Sequence, residues 1–237
     1  MITYININCN TFFGDKYIPI VIEEKEIVHA ISVLLLANIQ VYVRMKSKRE
    51  DDIMGMAELE RRKDEKIDGV IYDMSPSPSY RHGIVNGNLY LIIKQGLKDS
   101  ICLVSMENLD FKYHPDKNDD YLCPDIMIVC DRKHLKGGSY SGTPKFVAET
   151  LSPSSSKRDR AEKKDIYEAA GVEEYWILSP EGHLEIYYLR EGRYVLEESY
   201  ILQDDKEEEH YNAETEISLR AFPHITMTLQ EIFEGLA

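Results

Sequence analysis

Apolar residues along this chain come mostly in short, strand-length runs broken by glycine, proline and charge. Such runs predict strands, and only a few stretches carry a helical period. Residues 4–13 and 17–22 read as the first two strands. Residues 24–43 are strongly apolar, but His29, Ser32, Asn38 and Gln40 interrupt them. Polar groups of this kind are costly in lipid, so a buried helix and strand are expected there rather than a membrane span. Residues 46–66 have helical composition with a break near Gly55, and residues 67–74 read as a hairpin turning at Asp68-Gly69. A serine- and proline-rich loop over residues 75–79 follows, and Ser79 is placed to cap a helix over residues 80–97. The apolar face expected for that helix is Ile84, Leu89, Leu91, Ile92 and Ile93.

Further strands are predicted at residues 101–106, 109–113, 125–130, 145–151 and 174–178. A hairpin of residues 183–189 and 193–200 turns at Glu191-Gly192. Residues 131–144, with Gly137-Gly138 and Gly142, read as loop. A helix starts from the serines at 152–155 and runs to Ala170, where Gly171 is placed to stop it. Residues 217–219 suggest an edge strand, and residues 229–233 a short last helix. Strands alternate with few helices and hairpins are present. The expected class is therefore α/β in the broad sense, an α+β mixed sheet: a central mixed β-sheet flanked by helices. Residues 1–45 stand apart as an N-terminal extension of unknown role, and residues 46–237 form the main domain.

Composition narrows the setting. The chain has 237 residues, 43% hydrophobic and 30% charged, which is globular rather than disordered. The four cysteines, Cys9, Cys102, Cys123 and Cys130, form no CxxC pair, and buried reduced thiols are expected. No secretory signal is visible at the N-terminus, so the expected location is cytoplasmic. A net charge of −14 argues against tight non-specific binding to nucleic acid, although charge is local and much of the surplus lies in Asp204-Asp205-Lys206-Glu207-Glu208-Glu209.

Two of the apolar runs each hold a carboxylate. Asp125 opens one directly after a proline, and Glu149 lies inside the other. An apolar strand tolerates a glutamate poorly unless the glutamate is paired or metal-bound. The bland reading of Asp125 is a loop end. On the helix that follows Glu149, Asp159, Lys163 and Tyr167 are spaced by four and share a face. Lys163 could equally belong to a solvated cluster with Lys157, Arg158, Arg160 and Lys164. Two carboxylates on neighbouring strands and a lysine from the next helix can hold a divalent cation and hydrolyse a phosphodiester. Asp125, Glu149 and the peptide carbonyl of Thr150 would be ligands of Mg²⁺ or Mn²⁺, and Lys163 would orient the attacking water or offset charge on the phosphate. The basic helix start would give a local positive rim and salt-sensitive DNA binding. Asp131 and His134 resemble a metal pair by type, but their loop reads as surface.

These residues carry a family resemblance. Ile67-Asp68-Gly69, Ser75-Pro76 with His82, Pro124-Asp125-Ile126, Val147-Ala148-Glu149, Leu151-Ser152-Pro153-Ser154, Asp159-Arg160, Lys163, Tyr167, Gly171-Val172 and Glu174-Tyr175-Trp176-Ile177 follow in an order that resembles the PD-(D/E)XK nuclease superfamily. More narrowly, they resemble its Uma-two family of restriction-endonuclease-like proteins. The resemblance covers roughly residues 60–235 and implies a restriction-endonuclease-like fold and a metal-dependent endodeoxyribonuclease. The superfamily's simplest pattern places lysine two residues after the acidic residue, where this chain has Leu151. The resemblance moves that lysine to the next helix, as Lys163, with Lys164 as second choice. It also adds Glu65 and His82 as site neighbours, beside Asp159. DNA is the expected partner, a homodimer is a possible assembly, and no membrane is expected. The rival expectation is a nuclease-fold binding or regulatory module that has lost catalysis.

Overall fold

The computed structural model describes the backbone of residues 2–8, 17–23, 41–42 and 73, and residues 64–72, 79–153 and 156–236 with their side chains. The helix expected within residues 46–63, most of the apolar stretch 24–43, Cys9 and the loop 75–78 lie outside the described residues. The chain divides into two compact units, Met1–Arg62 and Lys63–Ala237. In the first unit β1 (Ile2–Asn8) pairs antiparallel with both β2 (Tyr17–Glu23) and β3 (Val41–Tyr42), in the order β2-β1-β3.

The second unit opens with the hairpin of β4 (Asp64–Ile67) and β5 (Val70–Asp73). Asp68 and Gly69 both take positive φ, 50° and 77°, as a tight two-residue hairpin turn requires. The helical composition read for residues 64–66 is overridden here. Lys66 exchanges backbone hydrogen bonds with Tyr121 at 2.9 Å in each direction, and strand alternation turns Glu65 and Ile67 inward. Next comes α1 (Tyr80–Gly96), capped as expected by Ser79, whose hydroxyl accepts from His82 N at 3.3 Å. Its buried stripe differs from the expected one: His82, Val85, Asn86, Leu89 and Ile93 face inward, and Leu91 is 56% exposed. The apolar cluster near the helix's C-terminal end hides a stripe whose first turns are polar.

The chain continues through β6 (Leu103–Met106), β7 (Asp110–Phe111) and β8 (Ile126–Val129). Residues 131–144 are more ordered than the loop expected of them. A 3₁₀ turn, Arg132–His134, leads into β9 (Leu135–Lys136) and β10 (Ser139–Tyr140), which turn at Gly137-Gly138 and join β7 in a small sheet. After β11 (Phe146–Thr150), helix α2 is built from Ser156–Arg158, a π-helical stretch Asp159–Lys163, and Lys164–Ala169. It ends before Gly171, at φ 80°. Then follow β12 (Glu174–Ser179), β13 (His183–Arg190), β14 (Arg193–Ile201), β15 (Glu216–Leu219), β16 (Phe222–Thr228) and α3 (Leu229–Ile232). The ribbon partner β16 has no counterpart among the predicted strands, because Pro223 and His224 interrupt its apolar pattern.

The main sheet is mixed, in the order β14-β13-β12-β11-β8-β6. Only β11 and β12 run parallel, and α2 is the crossover that parallel neighbours need. Strand alternation sends one set of side chains to a core with α1, β16 and α3, including Ile126, Ile128, Phe146, Ala148 and Trp176. The other set, including Met127, Val129, Val147, Tyr175 and Ile177, packs with Tyr167 of α2. The cysteines correct the expectation of reduced thiols throughout. Cys102 and Cys130 are joined by a disulfide, and Cys123 is buried. The physical reason is register: Leu103 pairs with Val129, so the next position on each strand brings the two cysteines together.

Candidate active site

The sheet ends where Pro124-Asp125 enters β8 and Glu149-Thr150 leaves β11. Phe146 pairs with Ile128 and Ala148 with Ile126, so the same register carried one step further sets Glu149 opposite Asp125. Around this end the fold gathers two groups of polar side chains.

The first surrounds Lys163. Its ammonium lies 2.8 Å from Glu65 Oε1, 3.2 Å from Glu149 Oε1 and 3.2 Å from Asp159 Oδ1. All four residues are at most 2% exposed. Glu149 Oε1 also accepts a 2.6 Å hydrogen bond from the Tyr167 hydroxyl. Glu65 Oε1 accepts from Cys123 N at 3.2 Å, and Arg158, stacked on the Tyr72 ring, comes within 3.7 Å of Glu65 Oε2. Among the described residues, nothing donates a well-aligned hydrogen bond to Glu65 Oε2 or to either Asp159 carboxylate oxygen, all three buried, and the Lys163 contact with Asp159 Oδ1 is an ion pair only. The π-helical stretch begins at Asp159 and ends at Lys163, and Asp159's own carbonyl accepts from the Tyr175 hydroxyl at 3.0 Å. Such a widened turn recurs at functional sites and lets a helix aim side chains that a regular α-turn would spread. Lys164 turns elsewhere, onto the face of Tyr187 at 4.0 Å.

The second group surrounds Asp125. Its Oδ2 accepts from the backbone N–H of Thr150 at 2.8 Å and lies 3.1 Å from His82 Nε2. Asn86, one turn along α1 from His82, puts its amide nitrogen 3.3 Å from His82 Nδ1 and donates to Glu107 Oε1 at 3.1 Å. The carbonyl oxygen of the same Asn86 side chain accepts from the Thr150 hydroxyl at 2.6 Å. Thr150 thus links the two groups, next in sequence to Glu149. Among the described residues, one ligand atom each from His82, Glu107 and Asp125 lie within 4.8 Å of one another.

Burial and charge set the protonation states. Burial raises the Glu149 carboxyl well above the ordinary glutamate range; Lys163 opposes that shift, and Asp125, Asp159 and Glu65 add to it. Burial alone would lower Lys163, but Glu149, Glu65, Asp159 and Asp125 outweigh it and hold the lysine as ammonium. Burial also works against the charged form of His82. The hydrogen bond and charge of Asp125, with the charge of Glu107, outweigh it and raise the imidazole above 6.5. Tyr167 is pushed well up by burial and by Glu149, so it stays a hydrogen-bond donor.

The residues singled out from sequence thus fall into one region, apart from Lys164. Glu107, Asn86, Arg158 and the hydroxyl of Tyr167 are contributors that sequence reading passes over as site groups. For Glu107 a signal exists. Cys102 and Glu107 are spaced by five residues, as are Asp125 and Cys130, so an antiparallel pair that joins the cysteines must also bring the acids together.

The model of the Uma2 family, described as "Putative restriction endonuclease", matches residues 53–230, and the chain belongs to that family. An uncharacterized protein of the cyanobacterium Synechocystis is 30% identical over 117 residues, 49% of this chain; the match spans 60% of that relative's length. The fold is that of a crystal structure from Anabaena variabilis, titled a putative nuclease belonging to DUF820. The TM-score is 0.56 at 17% identity, over 73% of this chain and 91% of the other. Family and fold are those of a restriction-endonuclease-like nuclease of the PD-(D/E)XK kind. Among the described residues no helix is long and apolar enough to cross a membrane.

Proposed function

We propose that this chain is an endodeoxyribonuclease that hydrolyses DNA phosphodiester bonds with Mg²⁺ or Mn²⁺. The observation that carries this reading is the surplus of buried carboxylates at the sheet end. Among the described residues, Glu65, Glu149 and Asp159 share the buried Lys163 ammonium, Asp125 lies beside them against His82, and three oxygens of Glu65 and Asp159 accept no hydrogen bond. An uncompensated buried carboxylate is expensive, and a hard divalent cation with oxygen ligands is the usual remedy. The donor set fits such an ion: Asp125 and Glu149 would hold it, with the Thr150 carbonyl as a further ligand. Bound there, the ion would polarise a phosphoryl oxygen and lower the pKa of a coordinated water.

The remaining roles fall to the chain's own groups. The Lys163 ammonium, fixed by Glu65, Glu149 and Asp159, orients the attacking water or offsets charge on the phosphate. Tyr167 fixes the Glu149 carboxylate by its hydroxyl, and Thr150 N–H fixes that of Asp125. Purified protein incubated with plasmid and with single-stranded DNA is expected to cleave in Mg²⁺ or Mn²⁺ and to stop in EDTA. Lys163→Met is expected to remove cleavage and largely spare metal binding, and Glu149→Ala to remove both. DNA bound but left intact in both metals would overturn the enzymatic reading in favour of a binding module.

A further inference from the structure

We infer that His82, Glu107 and Asp125 form a second divalent-cation position beside the first, one that takes Mn²⁺ in preference to Mg²⁺. The inference rests on the proposed reading of Asp125 as a cation ligand, a residue both positions share.

Three separate elements build the position. His82 comes from the first turn of α1, Glu107 from the end of β6 and Asp125 from the start of β8. Met106 pairs with Ile126, and one step further Glu107 N donates to Asp125 O at 3.1 Å, which fixes the two acids side by side. Glu107 holds a left-handed backbone at φ 51°, a conformation a glutamate rarely adopts. His82 Nε2 lies 3.1 Å from Asp125 Oδ2, and His82 Nδ1 lies 3.7 Å from Glu107 Oε1. One donor atom from each of the three residues lies within 4.8 Å of the others, and neighbouring ligands of a six-coordinate ion at ~2.1 Å stand about 3 Å apart, so one imidazole nitrogen and one oxygen from each acid need only close in on one another to meet a common ion.

Asn86 supplies the support that ligating side chains commonly receive. Its amide nitrogen contacts both His82 and Glu107, and its oxygen is held by Thr150. Access is graded: the Glu107 side chain is 20% exposed, against 5% for His82 and 7% for Asp125. An ion therefore enters past Glu107. The imidazole sets the metal. Mg²⁺ takes oxygen ligands and dehydrates reluctantly, whereas imidazole suits transition-metal ions, so Mn²⁺ is favoured over Mg²⁺ here.

The test titrates the full chain with MnCl₂ and follows free Mn²⁺ by electron paramagnetic resonance. The parent should bind two equivalents. Glu107→Gln and His82→Asn should each remove one or weaken it by about tenfold or more, while Glu149→Gln weakens the other. Asp131→Asn, which alters the surface Asp131–His134 pair, should leave both in place. Glu107→His keeps a ligand and should keep the equivalent. Mg²⁺ should compete for the Glu149 position at lower concentration than for this one. Unchanged Mn²⁺ stoichiometry and affinity in folded Glu107→Gln would overturn the inference and leave the nuclease reading intact. Two Mn²⁺ equivalents with the expected variant pattern, but no cleavage in any metal, would support this site and sink the nuclease.

Discussion

Lys163 is the cation on which the buried carboxylates depend. Its ammonium is enclosed by Glu65, Glu149 and Asp159, and no water-exposed face remains to share the charge. Removing one partner of such a network leaves like charges stranded in low dielectric, which costs about 3–5 kcal/mol. Lys163→Met should therefore lose stability as well as activity. The sign of its pH dependence follows from the carboxylates. With the folded pKa of Glu149 raised above its unfolded value, the native state holds a proton there that the unfolded chain gives up above pH 4.5, so stability falls as pH rises. The deficit of Lys163→Met should be largest near about pH 8 and shrink toward about pH 5, measured by urea denaturation. A pH-independent deficit would mean that the lysine matters by packing alone. Glu174 offers a parallel case away from the site. Its carboxylate accepts from Trp176 Nε1 and Arg220 N, both at 2.9 Å, yet burial pushes it from 4.5 up to about 7. Its folded pKa is raised, so it removes stability as pH climbs from 4.5 to about 7, by up to about 3 kcal/mol. Glu174→Gln should flatten the stability profile across that window.

At the scale of elements, most of the sheet was legible because buried strands read as apolar runs and hairpins as Asp-Gly and Glu-Gly turns. The runs at β8, β11 and β12, the crossover helix and the turn at Glu191-Gly192 all follow from local pattern. What escaped is tertiary. Residues 64–66 have helix-forming composition, but pairing with Tyr121 and burial of Glu65 hold them extended. The buried stripe of α1 begins with His82 and Asn86, which no hydrophobic period marks, because those turns face the polar sheet end. Asp125, Glu149 and Lys163 were legible as candidates because charge inside apolar runs, or on the inward face of a helix, has to be explained. Glu107 sits in the polar stretch Glu107-Asn108, and only the β6–β8 register brings it beside Asp125. That four-residue ladder carries a disulfide at one end and the acid pair at the other. The Cys102–Cys130 bond closes a separation of 28 residues, worth about 3–4 kcal/mol of chain entropy. Reduction, or Cys102→Ala with Cys130→Ala, should lower stability by that order in a thermal melt. Identical melting with and without dithiothreitol would show that the bond contributes nothing in solution.

For the whole molecule, the proposed DNA substrate raises the question of how a chain of net charge −14 would meet a polyanion. The basic start of α2 predicts a positive rim, but the fold spends most of that charge on itself. Lys163 answers three carboxylates, Arg158 lies on Tyr72 near Glu65, Arg160 pairs with Glu185, and Lys164 covers the Tyr187 ring. Counterion release scales with the number of phosphates neutralised, so few available cations mean a shallow salt dependence. The steep dependence that the sequence suggests should not be observed. On the proposed reading, what would remain to attract the backbone is a divalent ion held by Asp125 and Glu149, which would offset charges that otherwise repel a phosphate at short range. Binding should therefore be conditional on metal. With a labelled duplex protected from cleavage by phosphorothioate linkages, fluorescence anisotropy in Mn²⁺ should give an affinity at least about tenfold above that in EDTA. The slope of log Kobs against log[KCl] should be no steeper than about −3, the value for roughly three phosphate contacts. Equal affinity in EDTA with a slope near about −6 would mean that a cationic surface outside the α2 start carries the DNA, and that the sheet-end carboxylates play no part in holding it.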